Sequence, residues 1–349
     1  MSKKVIRNFE RFILDSKKST FLAIKKIQEN TIKTLIIVER KNKLFGTLTD
    51  GDIRRGMLKG YNLKTPIEKI VNKKPIKKVI GKKLQNFKLK EEISILPCVD
   101  RNNKIKFIET YLDKKLSSSY SKNLDIVIMA GGFGKRLMPL TNKIPKPLIK
   151  INKKSIIELI IENFKKYGFL EFNISTFYKS QKIKKYFKKK KFHNLDITFL
   201  QEKSPMGTAG CLSLLNSKSL KKDILVQNGD VITDLNIDNL IKFHRDTNSD
   251  ITVCAKEFLN SSPFGQISFK EHKIKKIIEK PKQKNFVNAG VYVISKKMIK
   301  NMKPKYLDMT KFIDDKINKN FNVNIYPIYE YWVDVGRKDV LKNIVAEKK

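Results

Sequence analysis

Cysteine is nearly missing from this chain, with three thiols in 349 residues. Cys98, Cys211 and Cys254 are far apart and odd in number, which excludes a disulfide framework and does not give zinc-site spacing. Free thiols in a reducing cytoplasm are expected. No apolar run approaches the length of a membrane span, and Met1 to Lys18 lacks the apolar core of a signal peptide. Acidic residues are scarce: 34 Asp and Glu stand against 75 Lys and Arg, a formal charge of +41. Such a balance raises the idea of a nucleic-acid partner. The lysines, however, are spread over almost every segment, with no helix-turn-helix, zinc-finger or RNP-like pattern, so no specific nucleic-acid partner is expected. The densest run, Lys182 to Lys191, carries Ile183, Tyr186 and Phe187 at helical spacing. It reads as an amphipathic helix with a solvated basic face. The charge would still attract anionic small molecules.

What is present is concentrated between Asp125 and Ile149. Residues 126–130 form a short apolar run rich in β-branched side chains, which fits a buried parallel strand. It stops at Gly131, Gly132 and Gly134. Glycines at the carboxyl end of a strand let the backbone turn, approach a ligand closely and point several N–H groups at one anion. Arg136 follows inside the loop, and Lys146 sits between Pro145 and Pro147, which leave it few conformations to lose on binding. The combination suits a polyphosphate. It is neither a Walker loop nor a dinucleotide-binding Gly-x-Gly-x-x-Gly.

Gly-Gly-x-Gly-x-Arg-Leu-x-Pro-Leu-Thr followed by Pro-Lys-Pro-Leu resembles the opening of the sugar-phosphate nucleotidyltransferases, or NDP-sugar pyrophosphorylases. The resemblance runs through residues 125–337 and departs from the common pattern at Lys135 and Met138. It implies an α/β fold with a Rossmann-like, mostly parallel sheet of the GT-A type. It also implies roles for particular residues. Arg136 and Lys146 would serve the phosphates, and Gly131, Gly132, Gly134, Glu202, Gly207 and Thr208 the nucleotide. Asp230, after the strand-like run Asp223 to Gln227, and Asp334, in Tyr-Trp-Val-Asp-Val-Gly-Arg, would hold Mg2+. Glu279, Lys280, Asn288 and Gly290 would hold the sugar phosphate. Each motif has a plainer reading. Thr208 could cap a helix, Asp230 could form a turn, and Glu279-Lys280 could be a surface pair. Ser155-Ile-Ile-Glu158 is a capping box opening a helix to about Tyr167, and strand-like runs at 171–176 and 195–200 alternate with the basic helix. That alternation argues for βαβ units.

Residues 1–120 read as a smaller α+β domain. Thr34 to Glu39 and Leu44 to Leu48 are strand-like around a Lys-Asn-Lys turn. The stretch from Gly46 to Arg55 resembles the ligand-binding end of a CBS domain. This implies that Gly46, Thr49 and Asp52 receive a regulatory nucleotide. The same groups fit a capped helix after a hairpin, with Asp50 or Asp52 as the cap. Thr65 to Ile70, Ile95 to Asp100 and Lys104 to Glu109 resemble a second, degenerate copy, completing a CBS pair. Residues 117–123 are polar and serine-rich, as in a flexible linker, before a catalytic domain at 124–349.

The expected reaction is Mg2+-dependent transfer of a nucleotidyl group from an NTP to a sugar 1-phosphate. The order of the two domains resembles bacterial mannose-1-phosphate or glucosamine-1-phosphate guanylyltransferases, which favours GTP and a role in surface glycan biosynthesis. A uridylyl- or thymidylyltransferase, or a nucleotide-sensing scaffold, are the alternatives. CBS modules commonly pair, so a homo-oligomer is expected.

Overall fold

Short β-branched runs alternate with amphipathic stretches along the chain, and each becomes a strand or a helix. A computed structural model describes residues 2–30, 32–82, 94–112, 124–189, 192–216, 220–221 and 223–341. The chain divides into two units, Met1–Leu116 and Ser117–Lys349. The expected linker at 117–123 lies outside the described residues.

In the N-terminal unit the elements are β1 (Ser2–Ile6), β2 (Ile13–Asp15), α1 (Thr20–Glu29), β3 (Thr34–Glu39), β4 (Lys43–Thr49), α2 (Asp50–Leu58), β5 (Lys78–Val79), β6 (Ile95–Val99) and β7 (Ile105–Leu112). They form two sheets, β2-β3-β4 and β1-β7-β6-β5. One pattern occurs twice: β2 is parallel to β3, which is antiparallel to β4, and β5 is parallel to β6, which is antiparallel to β7. Phe12, Ile36, Ile105 and Ile108 join the two sheets in one core. At the end of α1 the Lys33 ammonium donates to the carbonyls of Ile27, Gln28 and Asn30, a cationic cap on the negative helix end.

The C-terminal unit is built on β8 (Leu124–Met129), β9 (Lys150–Ile151), β10 (Lys154–Ser155), α3 (Ile156–Lys165), β11 (Glu171–Thr176), α4 (Ser180–Phe187), β12 (Asp196–Gln201), β13 (Asp223–Asn228), β14 (Val231–Thr233) and α5 (Ile237–Asp246). It continues with β15 (Ile251–Ser261), β16 (Gln266–Lys270), β17 (Lys273–Ile278), β18 (Lys282–Ser295), α6 (Met309–Asn318), β19 (Val323–Ile328) and β20 (Trp332–Asp334). Seven strands make the main sheet, in the order β12-β11-β8-β13-β18-β15-β19, with only β18 running against the rest. The strand period of two puts Ile126 and Ile128 of β8 into one core and Val127 into the other. The first core is covered by α3, α4 and α5, the second by α6 and the turn around Leu212. This is the α/β sandwich that the alternating pattern predicts.

The helix expected after Ser155 begins there because of its capping box. The Ser155 N–H donates to Glu158 Oε2 at 2.8 Å and the Glu158 N–H to Ser155 Oγ at 3.3 Å. Tyr186 of α4 donates to the same carboxylate, tying the two helices together. Farther along, β15 and β18 keep pairing beyond the sheet, from Glu257↔Phe286 onward, as a two-stranded ribbon. The antiparallel pair β16–β17 lies between them in sequence.

Phe164 is fully buried, with edge contacts to Phe169 and Phe172 at 6.1 Å. Phe164→Ala should destabilise the C-terminal unit by about 3–5 kcal/mol, the usual result of emptying an aromatic core site. A denaturant titration that resolves this unit's transition checks it, and an unchanged midpoint would mean the site collapses onto the gap.

Candidate active site

β8 and β13 are neighbours, yet the chain passes from β8 to β11 on the opposite side. The carboxyl ends of β8 and β13 therefore flank a crevice, the usual ligand position in such sheets. Gly131–Gly134 follows β8, and Gly229 and Asp230 follow β13. The two turns touch through backbone: the Gly229 N–H donates to the Met129 carbonyl at 2.8 Å. A Cβ on Gly229 would lie 2.4 Å from that oxygen, so no other residue fits. Gly134 adopts φ +67°, and its carbonyl accepts from the Thr141 hydroxyl at 3.0 Å. Gly132 has open space where a Cβ would be, so packing does not require glycine there.

Lys146, held in a tight turn between its two prolines, is 9% exposed. Its ammonium donates to Asp230 and lies 3.9 Å from Asp334 Oδ1. A small ladder delivers the second carboxylate. β14 pairs with β20 so that Val231 faces Asp334, and the Val335 N–H donates to the Asp230 carbonyl at 2.9 Å. Trp332 anchors β20 by donating from Nε1 to the Ala289 carbonyl at 2.8 Å. The segment around Trp332 is thus a strand.

Burial, and next the Asp230 carboxylate, push the Asp334 carboxyl above its ordinary range, against the opposite pull of Lys146 and Arg136. Asp334 Oδ1 and Asn228 Oδ1 are shielded from solvent without a hydrogen-bond partner. Two adjoining carboxylates, one with an unmatched oxygen, form a donor set that suits Mg2+, which takes one or two carboxylates and completes its shell with phosphate and water.

Arg136, Lys146, Asp230, Gly131, Gly132, Gly134, Glu202, Gly207 and Thr208 all line one cavity of about 450 Å3. Glu202 is buried, accepts from Ser175 and from the Met206 N–H at 3.1 Å, and sits where a Cβ on Gly131 would be. Burial, and then this carboxylate, push the neighbouring Cys211 thiol up to about 12, so it stays protonated. Gly207 has φ +71°, and a Cβ there would lie 2.6 Å from the Leu307 carbonyl. Thr208 does not cap its own short helix, as its plainer reading had it. Its Oγ1 accepts from the Met309 N–H at 2.7 Å and so caps α6, far along the chain. Lys135, one of the departures from the family pattern, lies over the Phe133 ring at 5.7 Å at the cavity wall.

The expected sugar-phosphate residues are not among those that line this cavity, although Gly290 packs against Asn228, which does. Glu279, Lys280, Asn288 and Gly290 do not line the cavity. Glu279 and Lys280 are exposed just past β17, with Lys280 at φ +43°. Asn288 Oδ1 accepts from the Gly290 N–H at 3.0 Å. Gly290, at φ +68°, leaves room for the Asn228 amide, 2.5 Å from where a Cβ would be.

In the N-terminal unit, Thr49 is the cap of α2, in place of Asp50 or Asp52. Asp52 accepts from the Thr49 N–H at 2.8 Å and returns its own N–H to the Thr49 hydroxyl at 3.2 Å. Asp50 pairs with Arg54 at 2.7 Å. A Cβ on Gly46 would lie 2.4 Å from the Asn72 carbonyl, which accounts for that glycine by packing.

Sequence reasoning missed Tyr306 and Asp308, which line the cavity beside Gly207. The Tyr306 hydroxyl donates to Asp308, at 3.0 Å to Oδ2. Asp308 carries the signature of a residue preceding a helix, the one local signal that could have drawn attention to it.

The sequence pattern of the nucleotidyl transferase family matches residues 125–348, and the chain belongs to that family. It is 31% identical over 228 residues to the mannose-1-phosphate guanyltransferase of Yarrowia lipolytica, covering 62% of this chain and 61% of that protein. It is likewise 31% identical over 227 residues to the mannose-1-phosphate guanylyltransferase catalytic subunit beta of Dictyostelium discoideum, covering 62% and 63%. The match thus spans less than two thirds of these relatives' length. The crystal structure of HddC from Yersinia pseudotuberculosis superposes with a TM-score of 0.52 at 25% identity, over 64% of this chain and 99% of that one. The same protein complexed with GMP-PN gives 0.50 and 26%, with the same coverage.

A raised Asp334 carboxyl has a consequence for stability. The folded chain holds that proton to higher pH than the unfolded chain does, so stability is lost as pH rises through the folded pKa. Asp334→Asn removes the loss. Its thermal midpoint should exceed that of the native chain at neutral pH, with the gain shrinking as pH falls toward about 4, the unfolded value. The side chain is 42% exposed, so solvent screening keeps the effect small. A lower midpoint at neutral pH would mean that its contact with Lys146 outweighs desolvation.

Proposed function

We propose that the chain is a Mg2+-dependent sugar-1-phosphate nucleotidyltransferase that uses GTP, with mannose 1-phosphate or glucosamine 1-phosphate as acceptor. The observation that carries this reading is the convergence of Lys146, Asp230 and Asp334 beside the glycine turn that ends β8. A phosphate oxygen of the sugar 1-phosphate attacks the α-phosphorus of the NTP. The bond from that phosphorus to the bridging oxygen breaks, and pyrophosphate leaves with the electron pair. The attacking group is already an anion, so no strong base is needed, and catalysis consists of positioning and charge neutralisation. Arg136 and Lys146 neutralise phosphate oxygens, and the turn at Gly131–Gly134 brings backbone N–H groups to them. Asp230 and Asp334 are the residues that would hold Mg2+, which would supply charge stabilisation on the phosphates. Lys280 and Glu279 are the candidates for the sugar phosphate.

The preference for GTP is supported by the names of the relatives and by the GMP-PN complex of HddC. Glu202 adds a chemical reason. Its carboxylate is an acceptor in the cavity wall, and guanine presents N–H donors along its pairing edge. The repeated strand pattern of the N-terminal unit supports a CBS pair with a degenerate second copy. In that reading Gly46, Thr49 and Asp52 form a regulatory nucleotide site and paired modules a homo-oligomer, while the domain order supports work on surface-glycan precursors and the free thiols a cytoplasmic enzyme.

A matrix of NTPs against sugar 1-phosphates, read by pyrophosphate release, tests the proposal. GTP with mannose or glucosamine 1-phosphate should give the highest turnover, and no release with any pair would refute it. Asp230→Asn and Asp334→Asn are nearly isosteric and should each lower turnover at least about a hundredfold, the scale of losing one main electrostatic stabiliser. Near-native turnover in either folded variant would remove that residue from the metal site.

A further inference from the structure

Between Ile299 and α6, neighbouring residues face two different cavities. Tyr306 and Asp308 line the one described above. Lys305 and Leu307 line a second cavity, of about 490 Å3. Six lysines stand around it: Lys300, Lys303, Lys305, Lys311, Lys316 and Lys319. The only acid in that wall is Asp315, paired with Lys319 at 2.8 Å and Lys316 at 3.4 Å. Six of the twelve lining residues are thus cationic, against 75 Lys and Arg in 349 residues overall, so the cluster exceeds the chain's general bias. The rest of the wall includes Met298, Met302, Leu307 and Phe312, of which Met298 and Phe312 are buried. Six lysines on one concave surface, only two of them paired with an acid, leave a local excess of positive charge that an anion between them relieves. An apolar floor adds a place for a flat ring.

We propose that this second cavity binds a nucleoside diphosphate, with the base against the partly exposed Met302 and Leu307 and the phosphates among the lysines. The partition between the two cavities is hydrogen-bonded to the turn at Met206–Gly210. The Leu307 N–H donates to the Met206 carbonyl at 2.9 Å, and the Leu307 carbonyl accepts from Ala209 at 2.9 Å and Gly210 at 3.0 Å. A ligand that favours one position of Leu307 therefore favours one position of the loop lining the first cavity, and occupancy of either cavity alters affinity at the other. That coupling rests on the nucleotidyltransferase reading, whereas the binding itself does not.

Calorimetric titration of GDP into the full-length chain tests this. The D52A chain, without the N-terminal nucleotide site proposed above, should show two binding events, and the native protein a third where that site takes GDP. In the D52A chain the triple variant K300E/K303E/K311E should weaken one of the two at least about tenfold, as expected for reversing three charges at a phosphate site. K165E/K185E/K188E makes the same change of net charge on other exposed lysines and should keep both events. R136A should weaken only the other event. Pyrophosphate should bind the second cavity less tightly than GDP, and guanosine should not bind it measurably. A single event that survives the first triple variant overturns the proposal, as does equal weakening by the two triple variants. Pyrophosphate binding as tight as GDP overturns the role given to the base. A second event in a chain that transfers no nucleotide supports this site and sinks only the catalytic reading.

Discussion

Two carboxylates far apart in the sequence of the C-terminal unit meet one ammonium, and much of the surrounding structure exists to hold that meeting in place. Asp230 repels Asp334, and burial makes the Asp334 charge harder still to keep. Lys146 offsets this only because it cannot swing away. Its flanking prolines restrict the backbone, and Gly134 leaves space beside it, 3.3 Å from Lys146 Cβ to where a Cβ would stand. The short ladder of β14 and β20 fixes the carboxylates, and Trp332 pins that ladder to β18 through the Ala289 carbonyl. None of these elements is large. Each depends on the main sheet, because β8 and β13 set the crevice into which the three side chains project.

The parts of this arrangement that were legible in the sequence are those with a local cause. β8, β11 and β13 announce themselves as apolar β-branched runs, and α3 as a capping box at Ser155 and Glu158. The groups that converge at Lys146 could be listed from a family resemblance, although their convergence needed the β14–β20 pairing. What stayed hidden depends on contacts between distant segments. Thr208 reads as a cap for the helix it opens, yet it caps α6, because the turn at Gly207 is pressed against Leu307 and Asp308. Lys280 reads as a site residue, and the ribbon of β15 and β18 that carries its neighbourhood could not be foreseen from its local Glu-Lys-Pro pattern. Thr49 and Asp52 illustrate a different limit. A capping box and a nucleotide site use the same hydroxyl and carboxylate, and the sequence pattern is identical for both.

Charge also divides into a local and a global problem. Arg136 and Lys146 cancel Asp230 and Asp334 formally, so the centre of the site carries no surplus with which to attract an anion. The surplus lies elsewhere, in 75 basic residues against 34 acidic ones. At physiological ionic strength those lysines act only over roughly 8 Å each, so a dispersed excess raises the local concentration of anions around the whole molecule without selecting among them. Selection falls to the balanced centre. In the proposed reading a phosphate chain gains there by completing the partnerships of Arg136 and Lys146, and a cation by taking the unmatched oxygen of Asp334. A site with a large positive excess and no apolar wall would hold any polyanion. A neutral site inside a basic protein instead rewards the ligand that brings the phosphate and the metal together.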